Sequence, residues 1–66
     1  MNMVFHAGQR VRLRVDVERF RAGDRARVTM PDSAPGDGEA LYLCEVETAE
    51  GVRLGAFYAR EIEPAD

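Results

Sequence analysis

The chain writes one phrase twice. Phe5-His6-Ala7-Gly8-Gln9-Arg10-Val11-Arg12-Leu13 returns fifteen residues later as Phe20-Arg21-Ala22-Gly23-Asp24-Arg25-Ala26-Arg27-Val28, with the shared pattern F-x-A-G-polar-R-apolar-R-apolar. A glycine turn followed by strict polar/apolar alternation is the start of a strand with one wet face, because successive side chains point to opposite faces of a sheet. The repeat therefore predicts two short strands, each presenting arginines outward.

Length limits what can hold such strands together. A domain of 66 residues buries only about 60% of the surface its unfolded chain exposes, and its core rarely supplies more than about 3–5 kcal/mol without a staple. Cys44 is the single cysteine, so an internal disulfide is not available. One His and one Cys fall short of a zinc cage. Closed sheet, tight turns or a partner subunit remain as sources of stability. No apolar run approaches the roughly 18 residues of a membrane span, and the first residues lack a charged segment followed by an apolar one. The expectation is a cytoplasmic protein with no membrane association.

Five short strands follow from alternation and turn signals. The first runs about Arg10 to Val17, with Val11, Leu13, Val15 and Val17 on one face and Arg10, Arg12, Arg14 and Asp16 on the other. Glu18 to Asp24 connects it to the second, and Phe20 is the large apolar residue of that connection, placed to plug an open end of the core. The second strand, about Arg25 to Met30, turns Ala26, Val28 and Met30 inward. Pro31 to Glu39 reads as a mobile hairpin tip, being rich in Pro, Gly and acids. Ala40 to Thr48 is the third strand, with Tyr42, Cys44 and Val46 on one face. On its other face Leu41 and Leu43 precede Glu45 and Glu47, so its start is expected to be covered on both sides. Ala49-Glu50-Gly51 makes a tight turn. Val52 to Tyr58 is the fourth strand, with Val52, Leu54, Ala56 and Tyr58 alternating against Arg53, Gly55 and Phe57. Ala59-Arg60-Glu61 reads as one helical turn, and Ile62-Glu63 as a closing strand ended by Pro64.

This order of parts resembles the SH3-like barrel: a first strand, a loop carrying an aromatic, a second strand, a long hairpin tip, a tight hairpin, one helical turn and a last strand. The Ala7–Leu13 and Phe20–Val28 phrases look like the "GDRVRV … F..G..G.V" opening of small bacterial SH3-like proteins. Similar openings occur in the SH3-like domain of nitrile hydratase β-subunits, in an SH3-like subunit of photosystem I and in KOW-type barrels. Phe57-Tyr58-Ala59-Arg60-Glu61-Ile62-Glu63-Pro64 looks like their aromatic and acidic ending. Ala26 stands where the KOW pattern commonly has glycine. The fold expected is all-β, a single five-stranded SH3-like barrel over residues 1–66 with one short helical turn near the C-terminal end, its ordered part about 5–64.

Charge is laid out unevenly. Through Met30 seven arginines face three acids, a balance of +4, and from Pro31 onward two arginines face nine acids, a balance of −7. Arg10, Arg12 and Arg14 on one strand beside Arg25 and Arg27 on the next would set like charges together, which is destabilising unless something anionic intervenes. Three readings stay open. A solvated face paired internally ranks first, with Glu61 and Glu63 beside the first arginine row and Glu45 and Glu47 beside the second. A protein-binding face ranks second, and a nucleic-acid face third.

Other chemistry is thinner. Cys44 alternates with Tyr42 and Val46, so it reads as a small buried apolar residue and not as half of a Cys44-His6 dyad. Asp32, Asp37 and Glu39 lack the spacing and oxygen count of a calcium site. There is no tryptophan, unlike the aromatic groove with which signalling SH3 domains hold proline-rich helices. Phe57 and Tyr58 are adjacent on a strand and so face opposite ways, which puts one of them at the surface as a partner contact. The expected function is a non-enzymatic protein-binding or regulatory module with neither cofactor nor metal. Its candidate surface is Arg10, Arg12, Arg25, Arg27, Phe57 and Tyr58, its partner another protein, and its state a monomer or weak homo-oligomer. The alternatives are a nucleic-acid-associated barrel, and an accessory subunit of a larger enzyme as implied by the nitrile hydratase resemblance.

Overall fold

The two copies of the repeated phrase lie side by side and antiparallel. In the computed structural model, which describes residues 5–32 and 41–65, strand β1 (Arg10–Leu13) pairs with β2 (Arg25–Asp32) in the register Arg10↔Arg27, Val11↔Ala26, Arg12↔Arg25. Val11 and Ala26 occupy equivalent places in the two phrases, so the pair has a local twofold through them. Main-chain bonds obey it too. The Gly8 N–H donates to the Val28 carbonyl, 2.6 Å, and the equivalent Gly23 N–H donates to the Leu13 carbonyl, 2.8 Å.

Three further strands complete one antiparallel sheet of order β4-β3-β2-β1-β5. β3 (Leu41–Thr48) and β4 (Gly51–Tyr58) form a hairpin, a 3₁₀ turn covers Ala59–Glu61, and β5 (Ile62–Pro64) pairs with β1. Among the described residues the fold is all-β with that single short helical turn. One core collects the inward side chains: Val11 and Leu13 from β1, Ala26 and Val28 from β2, Tyr42, Cys44 and Val46 from β3, Phe57 from β4 and Ile62 from β5. Phe5 and Phe20, the phenylalanines that open the two phrases, are buried with them. Phe5 meets Tyr42 edge to face with centroids 5.3 Å apart, and Phe20 meets Phe57 in the same way at 5.3 Å. Tyr42 and Phe57 are themselves partners across the β3/β4 ladder.

Three expectations need correction. β1 stops at Leu13, not Val17. The chain then turns away, with a tight Val17↔Phe20 bridge that puts Glu18 at φ 53°, and Val15 is left 43% exposed. Met30 points outward, 60% exposed, because the β2/β3 register shifts between Val28 and Met30. Val28 lies opposite Cys44 and Met30 opposite Leu43, so Thr29 is the extra residue of a bulge and Met30 changes face. Pro31 and Asp32 extend β2 and do not begin a loop. The β1 ladder covers only Arg25 to Arg27, which leaves the later part of β2 a free side where a residue without an N–H is tolerated. The rest of the expected hairpin tip, with Asp37 and Glu39, lies outside the described residues.

Alternation in β4 left open which of its two sets faces the core. Its inward residues are Gly55 and Phe57, while Val52 and Leu54 are 58% and 63% exposed. Register explains this: Phe57 and Gly55 lie opposite the buried Tyr42 and Cys44, whereas Leu54 and Val52 lie opposite Glu45 and Glu47 on the outer face. Gly55 is required because a Cβ there would stand 2.9 Å from the rings of Phe20 and Phe57.

The repeat's glycines generate the first prediction. Gly8 and Gly23 sit at φ +85° and +93°, and a Cβ on either would meet nothing within 4 Å, so the demand on them is purely conformational. Gly8→Val or Gly23→Val should each cost more than about 1 kcal/mol in urea titrations. Asparagine, which tolerates the left-handed region, should restore most of the loss. A valine variant as stable as the parent would show that these turns do not need glycine.

Candidate protein interface on the outer face

The twofold of the repeat dictates the electrostatics of the outer face. Because each phrase carries R-x-R and the phrases run antiparallel about Val11 and Ala26, Arg10 meets Arg27 and Arg12 meets Arg25 across the ladder. Side chains directly opposite one another on a sheet face lie about 4.5–5.5 Å apart at Cβ. Four guanidinium groups thus stand in a two-by-two block, all on exposed residues.

Acids frame the block. On the β5 side the Arg12 Nε donates to Glu63 Oε2 at 3.0 Å, and Arg14 Nε lies 3.9 Å from the other oxygen of the same carboxylate. On the β3 side Glu45 lies opposite Arg27, and Glu47 follows one step further in the same register, level with Arg25. Glu61 departs from expectation: its carboxylate accepts the Tyr58 N–H at 2.8 Å and so holds the 3₁₀ turn. Across the sheet the Arg12 row therefore reads acid, base, base, acid, apolar, from Glu63 through Arg12, Arg25 and Glu47 to Val52, while the Arg10 row begins at Ala65 and runs through Arg10, Arg27 and Glu45 to Leu54. A shallow groove of about 420 Å³ lies over this face, lined by Arg10, Arg25, Arg27, Glu45, Glu47 and Val52 among others.

The aromatic pair separates as its adjacency requires. Phe57 is 0% exposed and presents nothing to a partner, so it leaves the candidate surface. Tyr58 is half-buried, and the Arg60 guanidinium carbon sits 4.7 Å from its ring centroid. Sequence reasoning did not pick out the outward Met30, Val52 and Leu54. Alternation marked Val52 and Leu54 as one set, but which face that set takes depends on the register with β3, and Met30 on the bulge.

Cys44 is 0% exposed, its Sγ 3.7 Å from the Tyr42 carbonyl, and burial pushes its thiol from 9.0 up to about 11. Reactive cysteines show the opposite, a thiolate stabilised at an accessible position. His6 is on the surface, and its main-chain N–H donates to Gln9 Oε1 at 3.0 Å. Among the described residues no three His, Cys, Asp or Glu side chains gather as metal ligands, and no helix is long and apolar enough to cross a membrane. In comparisons with known proteins, no family model matches the chain, nor does any curated protein or solved structure.

Two predictions come from this geometry. Arg10 faces Arg27 across one ladder and Ala65 across the other, where the Ala65 N–H donates to the Arg10 carbonyl. Arg10→Gln should therefore stabilise the fold by about 0.2–1 kcal/mol in urea titrations, the range of cross-strand charge pairs. Glu63→Gln should destabilise it by no more than about 1 kcal/mol, since the pairs it breaks, with Arg12 and Arg14, are exposed. A loss on Arg10→Gln would mean that this arginine has a structural partner.

The second concerns alkaline pH. The folded thiol holds its proton more tightly than the unfolded one, so its contribution is complete below pH 9 and declines between 9 and about 11. Unfolding free energy should fall over that window with an added slope of at most about 1.4 kcal/mol per pH unit. Cys44→Val should lack that component, and an unchanged slope would show that the thiol ionises equally well in the fold.

Proposed function

We propose that this chain is an SH3-like barrel that serves as a non-enzymatic protein-binding module, working in the cytoplasm, with the outer face of β1, β2 and β3 as its docking surface. The observation that carries the reading is the two-by-two arginine block itself. A sheet face kept only for solubility gains nothing from placing Arg opposite Arg twice, and each such pair works against the fold. A partner that supplies carboxylates between the paired guanidinium groups turns that cost into affinity and register.

The flanking acids favour protein over nucleic acid. Glu45, Glu47 and Glu63 border the block on both sides, and the chain carries a net charge of −3. A continuous phosphate backbone crossing the face would run over those carboxylates. A protein segment with acidic residues at the centre and basic or apolar residues at its flanks matches the rows without that conflict. The strand order β4-β3-β2-β1-β5 with a 3₁₀ turn before the last strand supports the SH3-like part of the reading.

The test has two arms. Immobilised protein should retain a specific protein from a lysate of its host, and Arg10→Ala with Arg27→Ala should abolish retention while circular dichroism stays that of the parent. In fluorescence anisotropy, mixed duplex DNA and single-stranded RNA should bind more weakly than the ~10⁻⁴ to 10⁻⁶ M of non-specific binders at near-physiological salt. Micromolar or tighter nucleic-acid binding, lost in Arg12→Ala with Arg27→Ala, would replace the proposal with a nucleic-acid-associated barrel.

A further inference from the structure

The two edges of the sheet are built differently. β5 is three residues long and includes Pro64, both of which discourage another strand from pairing there. β4 is eight residues long, has no proline, and stands at the other end of the strand order. Its outward side chains include Val52 and Leu54, 58% and 63% exposed, with Ala56 also exposed. Met30, 60% exposed, extends this apolar strip inward through the row Met30↔Leu43↔Ala56. A long edge with an apolar face and one charged residue is the arrangement that natural sheets otherwise avoid, because its free N–H and C=O groups accept another strand.

We infer that β4 pairs antiparallel with β4 of a second copy, with Leu54 opposite Leu54 on a twofold axis. Three features select a second copy and this register. Val52 then lies opposite Ala56 of the other copy, and Ala56 opposite Val52, so the strip pairs a larger with a smaller residue on each side of the axis. Arg53 is the single charged residue of β4, its Nη1 donating to the Val52 carbonyl at 3.1 Å. In this register it faces Gly55 of the other copy, whereas a shift of one residue pair toward the turn would set Arg53 against Arg53. Finally, Glu45 and Glu47 lie one strand back from the edge. Across the joined sheets each stands three strand spacings, about 14 Å, from its copy, beyond the screening length of about 8 Å at physiological salt. Glu45 and Glu47 of the two chains therefore do not come together across the joint.

The pairing does not use the arginine block and stands apart from the proposal above. An isologous contact of this kind closes at two copies. Sedimentation equilibrium should give twice the 7.4 kDa chain mass, and Leu54→Glu, which puts two carboxylates on the axis, should weaken association at least tenfold. Val15→Glu, at an exposed apolar residue away from β4, should leave the mass at that of the dimer. Residues directly opposite on an antiparallel pair have Cα atoms about 4.5–5.5 Å apart, within disulfide reach. Leu54→Cys should therefore cross-link to itself under mild oxidation. Val52→Cys should cross-link only when mixed with Ala56→Cys, and the buried Cys44 should take no part. A 7.4 kDa mass persisting up to millimolar concentration would overturn the inference and leave the β4 edge to a strand from a different protein. A dimer that survives Leu54→Glu with unchanged circular dichroism, or species growing beyond two copies, would overturn it equally.

Discussion

Two edge-to-face ring contacts bind the repeated half of this molecule to the rest. Phe5 and Phe20 occupy equivalent places in the two phrases, and each reaches an aromatic ring of the β3/β4 hairpin, Tyr42 and Phe57 respectively. Since Tyr42 and Phe57 are partners in one ladder, a local twofold in the sequence docks onto a single cross-strand pair. A chain this short has no disulfide with which to fix its halves, and aromatic rings are its largest units of buried surface. Gly55 makes the Phe20 contact possible by leaving its inward position empty. Register in β4 is thereby set from the core side, and the identity of its outward residues follows.

The bulge at Thr29 does the corresponding work on β2. Before it, alternation puts Arg25 and Arg27 outward and Ala26 and Val28 inward; after it Met30 is outward. The Thr29 hydroxyl donates to the Leu43 carbonyl at 3.0 Å, which provides a local partner at the irregularity. One inserted residue thus separates two regions on the same outer face, a charged one over β1 and the first half of β2, and an apolar one centred on Met30, Leu43, Leu54 and Ala56. A surface divided in this way can hold one partner by charge while a neighbouring strip associates by pairing and apolar contact.

What the sequence made legible was periodicity, and what it hid was register. The repeat, the alternation in β3, the Ala49-Glu50-Gly51 turn, the helical turn and the closing strand are all local patterns, and the structure has them where the pattern puts them. Cys44 as a buried small residue followed from the same alternation. The inward face of β4 was a different kind of question, because Val52, Leu54 and Ala56 on one side compete with Gly55 and Phe57 on the other. Only the ring of Phe20, distant in sequence, decides it. The outward turn of Met30 was hidden for a related reason, since a bulge changes faces through one residue whose own chemistry is ordinary in a strand. Of the candidate surface, the arginines were legible as outward, and Phe57 was not separable from Tyr58 without the register.

The arginine block shows how symmetry in a sequence becomes a constraint on function. Duplicating a strand-opening phrase is a direct way to make two strands that pair, because whatever fits the first copy against the core fits the second. The duplicate also copies the outward charges, and an antiparallel arrangement then sets like against like. Arg12 is relieved by Glu63 at 3.0 Å and Arg27 faces Glu45 across β2/β3, but Arg10 faces Arg27 on one side and Ala65 on the other. Exposed pairs return at most about 1 kcal/mol, so the acids moderate the field over the block without removing it. What remains is a positive centre flanked by acids on a protein of net charge −3. If the block is the docking surface we propose, neutralising one of these arginines separates folding from binding, because the repulsion that weakens the sheet would also be the field that recognises the partner.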